Sequence, residues 1–378
     1  MIATYDAIVV GLGAIGSATL CHLAKQGQRA LGLEMFEPGH DHGSSHGYHR
    51  MIRTSAIHDD GYTPLAARAF ELWRELGAEV DRDLLRMLGE IHIVHLGSRP
   101  GYDEIAREMS ARGLWEVLSE ADLAERFPGV RVCDDMLVTY EAQAGFLLSE
   151  EGIRAHVEVA RRHGAAIRTG EEVTGWKADG SGVRVETTQG AYRAGKLIIT
   201  TGPWAHELLA NLDFPLEVVR TVNGYFEPSR PEWRAENGAP DFLLTVPEGL
   251  FYGIPAVDGV GLKIGRNRIK GVEHTTARAI RRTIEDSEID LLRDVLDRYM
   301  PGASGPELKR ITCMCTYTPD DDFIVDRHPA HQQVLFGCGF SGRGYKFAPT
   351  VGEILADLAT EGATRHDISF LSGSRFGA

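Results

Sequence analysis

The sequence predicts an α/β protein in two parts: a doubly wound, Rossmann-like sheet and a second α+β domain built on a mixed sheet. Three observations lead there. An apolar strand runs into G-x-G-x-x-G and then a helix within the first 34 residues. The same succession of strand, glycine turn and helix returns in the middle and near the end of the chain. The length, 378 residues, suits two domains or one large interleaved unit.

The first element is DAIVVGLGAIGSATLCHLAKQGQRALGLE, Asp6 to Glu34. Ala7 to Val10 reads as a buried parallel strand, because all its positions are apolar. Gly11 permits the tight turn, Gly13 lets backbone approach a pyrophosphate, and Gly16 lets helix and strand pack closely. A helix carrying Ala18, Leu20 and Leu23 follows, then the apolar run Ala30 to Leu33, which ends in Glu34. Phosphates suit the free N–H groups at the positive helix end. Glu34 would accept from ribose hydroxyls, and its charge disfavours a 2′-phosphate. With strand, helix, second strand and terminal acid all in place, the motif reads as dinucleotide-binding, without separating FAD from NAD.

The αβ pattern resumes at GIRAHVEVARRHGA (152–165), an amphipathic helix, followed by the strands EEVTGWKA, GVRVETT and AYRAGKLIITTG. The last runs through Gly202 and Pro203-Trp204 into a helix over HELLANL. Near the end, Val334 to Phe336 reads as a strand that meets a loop with Gly337, Gly339, Gly342 and Gly344, then a helix from Pro349. The expected division is a cofactor domain in three segments (1–85, 150–220 and 313–378) and a substrate domain from 86–149 and 221–312. An NAD unit is usually contiguous, so this splicing favours FAD.

Composition is that of an ordinary globular chain, 43% hydrophobic and 25% charged. The net charge of −14 argues against a nucleic-acid or anionic-membrane partner, both of which want a basic face. The start of the chain lacks the features of a secretory leader, and no apolar run reaches the ~18 residues a membrane helix needs. An odd count of five cysteines is no disulfide framework. The expectation is a cytoplasmic protein with reduced thiols.

Two of those cysteines, Cys313 and Cys315, stand one residue apart in ITCMCTYTPDDDFIVD. Three readings compete: a metal site, core residues on one strand face, or a covalent attachment point. The metal reading pairs them with His328-x-x-His331, but both spacings fall short of zinc modules and Pro329 lies between the histidines. No metal is expected. As core residues, positions i and i+2 of a strand share a face.

The fingerprint is joined by GSSHGYHRMIR (43–53), YGIP (252–255), GLKIG (261–265), CMCTYTPDDDFIVD and GFSGRGYKF (339–347). In this order and spacing they resemble the monomeric sarcosine oxidase and N-methyltryptophan oxidase family, FAD-dependent oxidases of N-methyl and cyclic secondary amino acids. The resemblance spans the chain to TRHDISFLSGSRF and implies an FAD-binding fold of the D-amino-acid/sarcosine oxidase type. In the family the flavin 8α-methyl is bonded to a cysteine seven residues before the Asp that Asp320 matches here. That cysteine is Cys313. A thiolate adds to an electron-poor flavin, and nearby cations would lower the thiol pKa.

The resemblance implies further roles. Arg53 and Lys346 would clamp the substrate carboxylate, Arg as a bidentate fork and Lys as a point charge. Lys263 matches the family lysine of oxygen activation, although by pattern alone it is an outward residue of an amphipathic strand. Arg50 and His46 resemble residues close to the flavin ring, and Tyr252 fits an aromatic lining the cavity. Ser44, Val173, Gly202, Gly342 and Gly344 complete the expected cofactor contacts, with Lys346 beside them. The loop from Gly342 to Pro349 aims a helix N-terminus at charge on the reduced flavin.

Three positions depart from the family pattern. Cys315 stands where relatives usually carry tyrosine or threonine, Asn267 where they carry histidine, and Arg343 interrupts a loop that usually reads S-G-H-G. All three are expected at the substrate pocket, where an added charge from Arg343 would favour a second acidic group. The expected reaction moves a hydride equivalent from the C–N carbon to flavin N5, followed by imine hydrolysis to aldehyde and amine and reduction of O2 to hydrogen peroxide. Its alternatives are a dehydrogenase that passes electrons to a quinone or carrier protein, and a non-catalytic dinucleotide binder. A monomer is expected, with a weak dimer as the other state.

Overall fold

The computed structural model describes residues 3–54, 61–267 and 273–377. Its first sheet has eight strands. Thr4–Val10 lies parallel between Ala30–Leu33 and Gly190–Ile199, with Ala166–Arg168 outside the former and His331–Cys338 parallel to the end of the latter. Val173–Asp179, Gly182–Thr187 and Ile324–His328 add antiparallel strands at the same side. Residues 7–10 are buried on both faces, which is why that strand is apolar throughout.

Helices Ala14–Lys25, Tyr62–Val80, Ser149–Arg162 and Ala348–Thr360 share one core that packs on one face of this sheet. Gly16 sits where the first helix crosses the first turn. A Cβ there would stand 1.8 Å from the Gly11 carbonyl oxygen, so close packing, not ligand contact, demands glycine. Gly11 has φ +85°, the left-handed turn conformation. The segment HELLANL forms two short turns, Ala205–Leu208 and Ala210–Leu212, rather than one expected helix.

The second sheet has nine strands in the order His274–Thr275, Glu217–Phe226, Leu262–Arg266, Gly249–Ile254, Asp241–Val246, Glu90–His95, Met136–Glu141, Glu116–Val117, with Glu307–Tyr317 also on Glu217–Phe226. One face packs on helix Asp286–Tyr299 through Phe226, Phe242, Phe251, Leu262 and Ile264. The strand period of two therefore turns Tyr225, Leu243, Tyr252 and Lys263 to the other face. A third sheet, His49–Arg53, Ala144–Leu148 and Leu85–Met87, forms its own ladder against the nine-stranded sheet.

Three of the expected domain limits fall inside strands. The break at 220/221 falls inside Glu217–Phe226 and that at 312/313 inside Glu307–Tyr317, yet both strands belong wholly to the nine-stranded sheet. Likewise the break at 85/86 cuts Leu85–Met87. Motif spacing cannot locate these limits, because long paired strands run past the residues that carry the motifs. Among the described residues no helix is long and apolar enough to cross a membrane.

Candidate active site

One cleft runs between the eight-stranded sheet and the free face of the nine-stranded sheet. Its first end is the strand-turn-helix start: Gly11, Gly13, Glu34, Val173 and Gly202 line it. The Glu34 carboxylate is buried and accepts from Leu12 N at 2.7 Å and Phe36 N at 3.0 Å. Burial pushes its carboxyl above the ordinary range, against those two backbone donors. A Cβ on Gly13 would find nothing nearer than Ser45 Oγ at 3.9 Å, so it would project into the open cleft.

Cys313 lies in the middle of the cleft with Ser44, Arg50 and Lys263. Arg50 Nη2 reaches the Ser44 carbonyl at 3.0 Å and the Cys313 sulfur at 3.6 Å. Lys263 is 2% exposed, which corrects the outward placement that strand alternation suggested. Its Nζ donates to the Gly47 and His49 carbonyls at 3.1 and 2.9 Å. Burial first, then Arg50, pulls its proton affinity well below the ordinary lysine value, while Cys313 and Glu150 oppose. Glu150 in turn accepts from the Gly47 and Tyr48 amides, so the loop carrying Arg50 is fixed from two sides.

The buried thiols divide sharply. Burial pushes Cys21 and Cys338 up to about 12. At Cys313 burial acts the same way, but His46 and then Arg50 and Lys263 overcome it and bring the thiol down to about 6. Cys315, also in the cleft, is pushed up to about 12 by burial and by the neighbouring Cys313. Only one of the pair is poised as a nucleophile. His328 and His331 meet Trp176 edge-on and lie outside the cleft that holds both cysteines.

At the far end stand Arg53 and Lys346, with Tyr252, Asn267, Cys315 and Arg343 around them. Arg53 Nη1 is 2.6 Å from Glu90 Oε1, an interior ion pair and not a surface one. Burial, reinforced by Arg53, lowers Lys346 to about 7. Tyr252 donates to Asn223 Oδ1 at 2.9 Å, and Tyr317 to Asn267 Oδ1 at 3.1 Å. The charge of Arg343 is already committed. Its Nη2 donates to the Asp321 carbonyl, lies 3.7 Å from Asp322, and stacks over Tyr62 and Phe323. The positive charge that the sequence places at the pocket thus has partners of its own, a backbone carbonyl and a carboxylate from the segment just before Ile324–His328.

Of the residues expected at the cofactor and substrate sites, all but Gly16 and His46 line the cleft; His46 is buried beside the Cys313 sulfur. The sequence reading missed Glu90, His92, Glu141 and Asp241, the buried polar groups behind Arg53. Glu90 and His92 did leave a signal: two polar residues at alternate positions of EIHIVH, facing the same way.

The donor set fits a flavin dinucleotide. Thr201 Oγ1, Thr316 Oγ1 and both ring nitrogens of His49 are buried, without partners, and belong to residues that line the cleft. Such orphans call for a bound polar group. Gly13 leaves the backbone open where a diphosphate would sit, and Arg50 faces the only low-pKa thiol of the cleft.

The Lys346 value has a direct consequence. A simple carboxylate such as acetate, which has no amine to titrate, should bind more weakly as pH rises through about 7, because Lys346 loses its proton there. A spectral titration of the protein-bound flavin with acetate across the neutral range measures this, and a flat profile would remove Lys346 from the anion site.

Comparison with known proteins agrees with the geometry. Residues 6–358 match the family model described as FAD dependent oxidoreductase. The chain is 39% identical to a monomeric sarcosine oxidase of Streptomyces avermitilis, over 99% of this chain and 98% of that protein. It is 33% identical to an N-methyl-L-tryptophan oxidase of Salmonella arizonae, over 98% and 99% of the two chains. The solved structure of NikD, an unusual amino acid oxidase essential for nikkomycin biosynthesis, superposes with a TM-score of 0.85 at 25% identity, covering 98% of this chain and 97% of that one.

Proposed function

The chain belongs to the FAD dependent oxidoreductase family, and from that premise we propose that it is an oxidase of secondary amino acids, N-methyl, N-alkyl or cyclic, with its FAD tethered through Cys313. The observation that carries this is that one cleft is lined by a lowered thiol, by Lys263 and Tyr252, and by two half-buried basic residues, Arg53 and Lys346. Bound there, FAD would accept a hydride equivalent from the carbon beside the amine nitrogen and deliver the electrons to O2 as peroxide.

The protein's part is orientation and charge. Arg53 and Lys346 would hold the substrate carboxylate and so fix which C–N bond faces the ring. Tyr252, pinned by Asn223, forms a wall, and Cys315 and Asn267 shape the space left for the N-substituent and side chain. The amine is taken as bound in its neutral form, and the cleft then needs no carboxylate base beside it. Lys263, buried and anchored to two carbonyls, stands ready to hold a proton where negative charge develops. Glycines 342 and 344 precede Ala348–Thr360, whose N-terminal dipole favours the same charge. The five cysteines are all free thiols, as a reducing compartment would keep them.

A panel of sarcosine, N-methyl-L-tryptophan and L-pipecolate tests the reading. At least one is expected to bleach the flavin anaerobically and to yield peroxide in air. Bleaching with dye reduction but no peroxide would reassign the acceptor; no bleaching by any secondary amino acid would overturn the reading.

A further inference from the structure

Behind Arg53 the nine-stranded sheet carries a row of three buried carboxyls. Asp241 is the register partner of Glu90, and Glu90 of Glu141, so the three side chains share one face. None is more than 1% exposed. One guanidinium faces them: Arg53, on Glu90 Oε1, with His92 Nε2 against the same oxygen. The far side of the His92 ring meets the Tyr102 hydroxyl, itself 2.9 Å from Thr139 Oγ1.

The three acids are not equivalent. Glu141 receives the Thr54 amide and hydroxyl on Oε1 at 3.1 and 3.2 Å, and Trp115 Nε1 on Oε2 at 3.0 Å. Glu90 has Arg53 and His92 on one oxygen and nothing on Oε2, while Asp241 has no partner on either oxygen. Three ionised carboxylates around one guanidinium would leave interior charge uncompensated, and an unsolvated anion without a donor is the costliest of them. Asp241, with no donor on either oxygen, is the acid for which ionisation costs most, and Oε2 of its register partner Glu90 is likewise without a partner.

We propose that Glu90 is the positioning residue of the carboxylate anchor, holding Arg53 in the cleft, and that a protonated Asp241 donates to Glu90 and keeps it ionised. This rests on the reading of Arg53 and Lys346 as the substrate-carboxylate site. The surrounding charges agree. Burial and Glu90 push Asp241 well above the carboxylate range, against Lys263. Burial also works against the Glu90 anion, but Arg53 and His92 outweigh it and hold that carboxyl near 2. At Lys346, burial, Arg53 and Arg343 disfavour the ammonium, and Glu90 and Glu141 support it. Glu90 thus fixes one member of the anchor by contact and sustains the charge of the other through space.

The test uses the flavin-loaded enzyme and acetate. In wild type, acetate should perturb the flavin spectrum with an affinity that falls above the Lys346 limb, and Arg53→Met should abolish the perturbation. The isosteric Glu90→Gln variant should move that limb to lower pH, so that acetate binding at a fixed pH above it drops by up to about tenfold, one pKa unit. With an amino-acid substrate the same change should appear in KM and far less in kcat, which loss of folding alone does not produce. Infrared spectroscopy should find the carbonyl stretch of a neutral carboxylic acid that persists across the neutral range and vanishes in Asp241→Asn. An unmoved limb in Glu90→Gln overturns the role of Glu90. The absence of the acid band, or its survival in Asp241→Asn, overturns the proton on Asp241, and this measurement stands even if Glu90→Gln misfolds. If wild type itself shows no acetate effect, or Arg53→Met leaves one intact, the carboxylate-anchor reading fails first and takes the inference with it.

Discussion

Replacing Arg53 with methionine is expected to lower kcat/KM for any amino-acid substrate by about thirtyfold to several thousandfold, with most of the loss in KM. The magnitude follows from truncating one partner of a buried, hydrogen-bonded charge pair, about 2–5 kcal/mol, at roughly 1.4 kcal/mol per tenfold. Arg53 is only partly exposed, and its Nη1 is seated on the fully buried Glu90. Part of the loss is the unpaired Glu90 left behind, which also lowers stability. Arg53→Lys separates the two effects: it restores a cation beside Glu90 without the bidentate fork, so stability should recover more than KM. A thermal midpoint measured beside steady-state kinetics decides this. Unchanged KM in Arg53→Met would mean that the substrate carboxylate binds elsewhere.

The second large effect is expected at Cys313. Acid-precipitated wild-type protein should keep its yellow colour in the pellet, and Cys313→Ser should release all of it to the supernatant. The physical ground is the contrast among thiols: Cys313 is brought down to about 6 although burial opposes this, whereas Cys315 two residues on is pushed up to about 12. The thiolate is the nucleophile, so Cys315→Ser should leave the pellet coloured. His46→Ala should slow attachment, because His46 is the first of the groups that offset burial at the Cys313 sulfur. Free flavin from denatured wild type would falsify the tether while leaving dinucleotide binding intact.

The candidate site was legible wherever backbone chemistry demanded one residue type. Gly11 needs a positive φ, Gly16 has no room for a Cβ, and both could be read from spacing alone. Cys313, Arg53, Lys263 and Lys346 were legible only as parts of a resemblance. Nothing in the local pattern around Lys263 distinguishes a buried ammonium from an outward side chain, since alternation gives a face but not what covers it. The face of Lys263 is covered by the loop 44–50, which is remote in sequence and closes over it through the Gly47 and His49 carbonyls. Arg343 could not be oriented from the sequence for a related reason: its partners, the Asp321 carbonyl and the Asp322 carboxylate, come from another loop, and charge seen in sequence is not charge left free in space.

By itself the sequence determined the periodicities and the turn chemistry. An all-apolar run must be buried on both faces, and G-x-G-x-x-G must open a helix, so the nucleotide half of the fold followed from local rules. Tertiary structure alone decided the electrostatics. The proton affinities of Cys313, Lys263 and Lys346, and the row Asp241, Glu90, Glu141 behind Arg53, arise from strands far apart in the chain that share a register and exclude water. Charge interactions depend on distance and on local polarity, and neither is a property of any segment read on its own.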